Sequence, residues 1–312
     1  MGTPTAERPS PRAVAYVVVS VADLDAAIDF WAGRLGMQIE TRLGGSDPEL
    51  AAAWGLDPDG IVEEALLRTP GMHDGGLHLV QFRTPGAPVR EDASSTDLVL
   101  KSVDITTRDL PARYAELVEG GFKFRSKIGR LETAAGVVVH EVHLPASDGL
   151  NLVFLEEEGA ALPVGPKGYG VASQIVVITP DNARETAFFR EVFELEDISH
   201  NRFGGPEVEK TIGLPPGASL DITILGASAS PYGRLEFVQY EKAAGRNLYP
   251  RMKPPARGML SITYLVPDLK PILRRGQAFG VRDLGVRRSI LGRGHMAEFV
   301  SPAGLRIDVL ER

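Results

Sequence analysis

Residues 13–37 read AVAYVVVSVADLDAAIDFWAGRLGM, and this stretch decides the fold. Residues 14–21 are a β-branched apolar run of strand length. Asp23 stands where a helix N-cap belongs, its carboxylate placed to accept from the open amides of a first turn. Leu24, Ala27, Ile28, Trp31 and Leu35 then share one helical face, and Gly36 ends the helix. The stretch predicts a strand, a capped turn and an amphipathic helix.

The signature returns three times. It reads Val21-Ala22-Asp23-Leu24, Thr107-Arg108-Asp109-Leu110, Thr179-Pro180-Asp181-Asn182 and Val266-Pro267-Asp268-Leu269, with the aspartates 86, 72 and 87 positions apart. Near-equal outer intervals point to duplication of a two-unit block. A second marker agrees: Pro48-Glu49-Leu50 with Gly55-Leu56 recurs as Pro206-Glu207-Val208 with Gly213-Leu214, displaced by 158 like Asp23 and Asp181. The segments around Trp54 and Ile212 read as small helical lids.

Three strand-like runs follow each helix. They are predicted at 38–42, 64–68 and 76–83, at 122–127, 137–144 and 150–155, at 196–200, 219–225 and 234–240, and at 286–291, 295–300 and 305–310. The fold class is α+β, four βαβββ modules in two tandem domains with curved mixed sheets and outer helices. Residues 1–12 are Pro- and Ser-rich and predicted disordered. Domain 1 spans 13–158 (modules 13–90 and 97–158), a linker spans 159–170, and domain 2 spans 171–312 (modules 171–245 and 258–312).

Composition sets outer bounds. A chain of 312 residues with 43% hydrophobic and 24% charged residues suits an ordinary soluble protein with two cores. A net charge of -7 argues against nucleic acid or an anionic membrane as partner. No apolar run reaches transmembrane length, no signal-peptide core is present, and a cytoplasmic location is expected. With no cysteine, disulfides, thiolate metal sites and cysteine nucleophiles are excluded. Walker, dinucleotide-binding and serine-hydrolase motifs are missing, so no nucleotide cofactor is expected.

The repeated strand, V-x-D-L cap and helix at domain spacing resemble the vicinal oxygen chelate superfamily, which includes glyoxalase I, bleomycin-resistance proteins and extradiol dioxygenases. The resemblance covers the chain from about residue 13 onward. It implies a small-molecule ligand, allows a homodimer, and leaves the reaction open.

Period-2 alternation assigns faces independently of any family. Grouping modules by halves of the chain, a first cleft collects Tyr16, His78, Ser102, Asp104, Glu141, His143, Asn151 and Val153. A second collects Gln174, Val176, Glu236, Val238 and Tyr240, with Ser261, Thr263, Glu298, Arg306 and Asp308. His78 and His143 read as an acid and a base, with Asp104 or Glu141 orienting one imidazole. Tyr16, Ser102, Asn151, Ser261, Glu298 and Arg306 read as substrate contacts. His140 projects to the opposite face from His143, so the pair cannot chelate.

In metal-using relatives the ligands sit at four matching strand positions. The resemblance places these at Tyr16, His78, Ser102 and Val153 in the first domain and at Gln174, Glu236, Ser261 and Asp308 in the second. Val153 offers no lone pair. Gln174, Glu236 and Asp308 are the tentative ligands for one divalent ion in domain 2, with Ser261 where a histidine stands in relatives. The His/His/Glu triad of extradiol dioxygenases is absent from both, which disfavours ring cleavage. The leading expectation is an enzyme on a small oxygenated molecule, aromatic or polyketide-like, working by acid/base or metal-assisted isomerase or lyase chemistry. The alternative is a non-catalytic binder that sequesters a drug.

Overall fold

A computed structural model describes residues 11–45, 48–133, 136–160 and 162–312. The disorder expected over 1–12 therefore falls outside the described residues except for its last two, of which Arg12 pairs with Glu196 at 2.7 Å.

Module 1 comprises β1 (Tyr16–Val21), α1 (Leu24–Ile28), β2 (Gln38–Gly44), α2 (Pro48–Ala53), β3 (Ile61–Arg68) and β4 (Gly76–Phe82). Asp23 caps α1 by accepting from the Ala26 amide, and the helix widens into a π-helical turn over Asp29–Arg34. Leu24, Ala27, Ile28, Trp31 and Leu35 are all buried, which is the stripe read from the sequence. Module 2 holds β5 (Leu100–Thr107), α3 (Leu110–Glu119), β6 (Gly129–Glu132), β7 (Val138–Pro145) and β8 (Asn151–Glu157). The strand expected at 122–127 is corrected to β6. Phe124 instead packs its ring 4.7 Å from that of Tyr114 on α3.

Module 3 runs β9 (Tyr169–Ile178), α4 (Asn182–Phe193), β10 (Glu196–Gly204), α5 (Pro206–Ile212), β11 (Ser219–Gly226) and β12 (Arg234–Glu241). Its first strand begins inside the expected linker. Module 4 holds β13 (Gly258–Val266), α6 (Lys270–Gly276), β14 (Arg282–Ser289), β15 (Gly292–Val300) and β16 (Arg306–Glu311). Asp109 and Asp181 cap α3 and α4 as Asp23 caps α1. Asp268 departs slightly, accepting from the Lys270 amide while Leu269 takes the cap position.

The modules pair across the chain. Sheet I has the order β14-β15-β16-β13-β1-β4-β3-β2 and joins modules 4 and 1; sheet II has the order β10-β11-β12-β9-β5-β8-β7-β6 and joins modules 3 and 2. The seams are antiparallel, β1 on β13 and β5 on β9. Grouping cleft residues by halves of the chain is thereby corrected. Opening strands of modules from different halves share a ladder, so each concave face takes one module from each half.

Candidate functional site

Cleft I, on sheet I, receives Tyr16, His78, Ser261, Glu298, Arg306 and Asp308, and it is filled. Tyr16 donates to Glu40 at 2.7 Å and accepts from Arg68. His78 donates from Nε2 to Glu64 at 2.8 Å, both side chains buried. Ser261 donates to Asp308 at 2.7 Å, and Arg306 bridges Asp308 and Glu298. Trp54, just past α2, lies over this set, 6.3 Å from the His78 ring with the Arg306 guanidinium 5.8 Å from its own. The cavity bordered by Trp54, Arg306, Asp308 and Met296 holds only about 10 Å³.

Cleft II, on sheet II, is open, with a cavity of about 540 Å³. It receives Ser102, Asp104, Glu141, His143, Gln174 and Glu236, together with Lys101 and Tyr240. Strand registry sets their order. Arg234, Gln174, Asp104, Val153 and His143 form one row across β12, β9, β5, β8 and β7, and Glu236, Val176 and Ser102 form the next. Neighbouring strands lie about 4.8 Å apart, so side chains in these rows are adjacent. Apolar residues such as Leu131, Val139, Ile212 and Ile222 make the walls.

The position 158 residues beyond Trp54 is Ile212, at the end of α5. The same lid therefore carries an indole that fills cleft I and a smaller side chain that leaves cleft II hollow. The polar set of cleft I (Glu40, Glu64) is likewise matched by Ile198 and Ile222.

Three carboxylates, Asp104, Glu141 and Glu236, line cleft II. Burial first, then the charges of Glu236 and Glu141, hold the Asp104 carboxyl well above the usual carboxylate range, against a hydrogen bond donated by Ser102 at 2.9 Å. Burial and Glu141 raise Glu236 to about 7, with Lys101 opposing. Glu236 accepts no hydrogen bond from the described residues and lines the cavity. His143 is pushed below its ordinary value, chiefly by burial. Asn151 donates to its Nδ1 at 3.3 Å and its Nε2 donates to Glu141 at 3.2 Å, a neutral tautomer with both nitrogens engaged.

Sequence reading missed Lys101. Strict alternation puts Ser102 in the cleft and Lys101 behind it, but the register with β9 slips between Leu100 and Ser102, so both reach the cavity. The one signal that marks it is that Lys101 is the only basic residue in β5.

The expected catalytic group is divided between the sheets: Asp104, Glu141 and His143 share cleft II, while His78 lies in cleft I. Of the expected substrate contacts, Ser102 and Asn151 go with cleft II, and Tyr16, Ser261, Glu298 and Arg306 with cleft I. The tentative metal trio is corrected, because Asp308 belongs to sheet I whereas Gln174 and Glu236 belong to sheet II. The matching positions in cleft II are then Ser102, Val153, Gln174 and Glu236, where the valine offers no donor and the serine is engaged with Asp104. In cleft I each of the four side chains is held by an ion pair or hydrogen bond. Among the described residues no three His, Cys, Asp or Glu side chains stand close enough to hold a metal ion. These donor sets do not fit a divalent ion.

Sheets curved around a cleft, built from repeated βαβββ modules, define the class. Residues 13–159, just under half of the chain, match the model of the Glyoxalase/Bleomycin resistance protein/Dioxygenase superfamily. No curated protein sequence is significantly similar. A glyoxalase I variant from Zea mays superposes with a TM-score of 0.66 at 14% identity, covering 96% of this chain and 92% of that one. A Bacillus subtilis protein provisionally assigned as a dioxygenase superposes at 0.62 with 13% identity, covering 98% and 86%. At these identities the likeness is one of fold. Among the described residues, no helix is long and apolar enough to cross a membrane.

Proposed function

We propose that cleft II acts on a small oxygenated molecule by acid/base chemistry at a carbon beside a carbonyl, giving isomerisation or elimination. The observation that carries this reading is the presence in one cleft of Glu236, raised to about 7, and Asp104, whose buried carboxyl accepts from Ser102 and is held well above the usual carboxylate range. Two carboxyls whose surroundings give them different protonation states serve as base and acid in one site. Glu236 as carboxylate takes the proton from carbon. The C–H electron pair moves toward the carbonyl oxygen, which takes the Asp104 proton. Return of a proton to carbon gives the isomer; departure of a β substituent gives the alkene. His143, fixed by Asn151, positions Glu141, whose charge keeps the pair tuned.

The test is exchange of carbon-bound hydrogen for deuterium in D₂O, followed by proton NMR over a panel of enolisable ketones, hydroxyketones and keto acids. At least one member should exchange with the native protein. Glu236→Gln should slow it by about 10²–10⁴-fold while leaving binding within a factor of about two. The rate should follow a bell-shaped pH profile that belongs to the two carboxyls as a pair, with one limb near pH 7 where Glu236 titrates. Tight binding without exchange by any member would replace this reading with that of a binder.

A further inference from the structure

The region around Lys101 in cleft II carries the charge opposite to the carboxylates. Lys101 is 3% exposed, and its ammonium group has three donors but one acceptor among the described residues, the Tyr240 hydroxyl at 2.5 Å. The ammonium also lies 5.2 Å from the Tyr240 ring centre. Because the hydroxyl oxygen accepts from lysine, its own proton is free to donate into the cavity. Both feel the charge of Arg90, whose Nη1 is buried with no acceptor among the described residues. Arg125 adds its charge at longer range.

No carboxylate closes this cluster. Asp104 and Glu141 are felt by Lys101 electrostatically but form no ion pair with it among the described residues. Asp97, the acid nearest in effect to Arg90, is already held by Arg246 at 2.8 Å and by the Ser94 and Arg246 amides. Burial first, then Arg90 and Arg125, push the Lys101 amine down to about 7. A buried cation with spare donors is costly unless a partner arrives. Two adjacent donors, one ammonium and one hydroxyl, match the two oxygens of a carboxylate. No helix N-terminus is among them, so the larger donor array that a phosphate favours is missing.

We propose that Lys101 and Tyr240, backed by Arg90, form a carboxylate subsite, and that the ligand of cleft II is an organic acid with an apolar body lying along Val176, Ile212 and Val238. That this acid is a substrate, its reacting carbon directed toward Glu236, rests on the acid/base reading of the same cleft. The carboxylate holds the molecule by charge while the apolar walls take its body, which fixes orientation as well as affinity.

The test is calorimetric titration of the full chain with 4-phenylbutyrate and with its neutral isostere 4-phenylbutyramide. The acid should bind at least about tenfold tighter than the amide, a difference of about 1.4 kcal/mol. Lys101→Met should erase that preference while leaving amide affinity within a factor of about two. Tyr240→Phe keeps the ring and removes one donor, so it should cut the preference about threefold, and it decides the matter if the lysine variant does not fold. Equal affinities in the native protein, a preference that survives both substitutions, or no acid binding at about 10 mM would each overturn the subsite. Acid preference without carbon exchange in any compound would leave the subsite standing and remove the catalytic reading. Exchange of neutral ketones with no acid preference would do the reverse.

Discussion

Glu236 and His78 stand 158 residues apart at matching places on β12 and β4, and their neighbours set them different tasks. His78 is locked against Glu64, whereas Glu236 looks into an open cavity. The raised pKa of Glu236 has a stability consequence of definite sign. Between its usual 4.5 and about 7 the folded protein holds the proton more tightly than the unfolded chain. Its contribution therefore falls as pH rises through that window. Glu236→Gln should remove this loss, gaining ~1–3 kcal/mol over native at pH 7.5 and little at pH 4.5, as read from denaturant melts at both pH values. Lys101 works in the other direction: its lowered pKa makes stability rise with pH between about 7 and 10.5. Most cleft-facing residues were legible from period-2 alternation. Lys101 was not, because the bulge that brings it to the cavity depends on the partner strand.

The lid helices show how one element sets the fate of each cleft. Trp54 and Ile212 follow the same Pro-Glu turn in two copies, and only the indole is large enough to fill the space beneath. Ile212→Trp should fill cleft II, weakening binding of 4-phenylbutyrate by at least about tenfold while the melting temperature stays within a few degrees. Trp54→Ala should empty cleft I at a cost of about 3–5 kcal/mol, seen in chemical denaturation. The repeated marker that located both lids was plain in the sequence. What each lid would do was not, since filling depends on the sheet below. Residues 122–127 misled for a related reason. Phe122 and Phe124 suit a strand by composition, yet they pack against the π-helical turn after α1 and against α3, and the ladder forms at Arg130 and Leu131 instead.

At the scale of the molecule, exchange of modules between halves ties the two sheets together. The connections after modules 1 and 3 zip to each other: Leu98 donates to the Arg246 carbonyl and accepts from Leu248, and Asp97 pairs with Arg246. Gly245 passes so close that an added Cβ would stand 1.9 Å from the Thr96 carbonyl oxygen. Gly245→Ala should thus cost about 3 kcal/mol or more, and calorimetry should show one transition shifted downward with no second one separating. The four-fold repeat was readable because caps and strands are local. The choice of module partners was not, because β1 and β5 are both buried along their whole length, and each takes its neighbour only when the whole chain assembles. The division of labour between the clefts is tested most directly by measuring deuterium exchange with Glu236→Gln and His78→Gln side by side. Exchange should fall by at least about 100-fold in the first and stay within about twofold of native in the second. Loss confined to the His78 variant, or equal loss in both, would contradict the assignment of chemistry to cleft II.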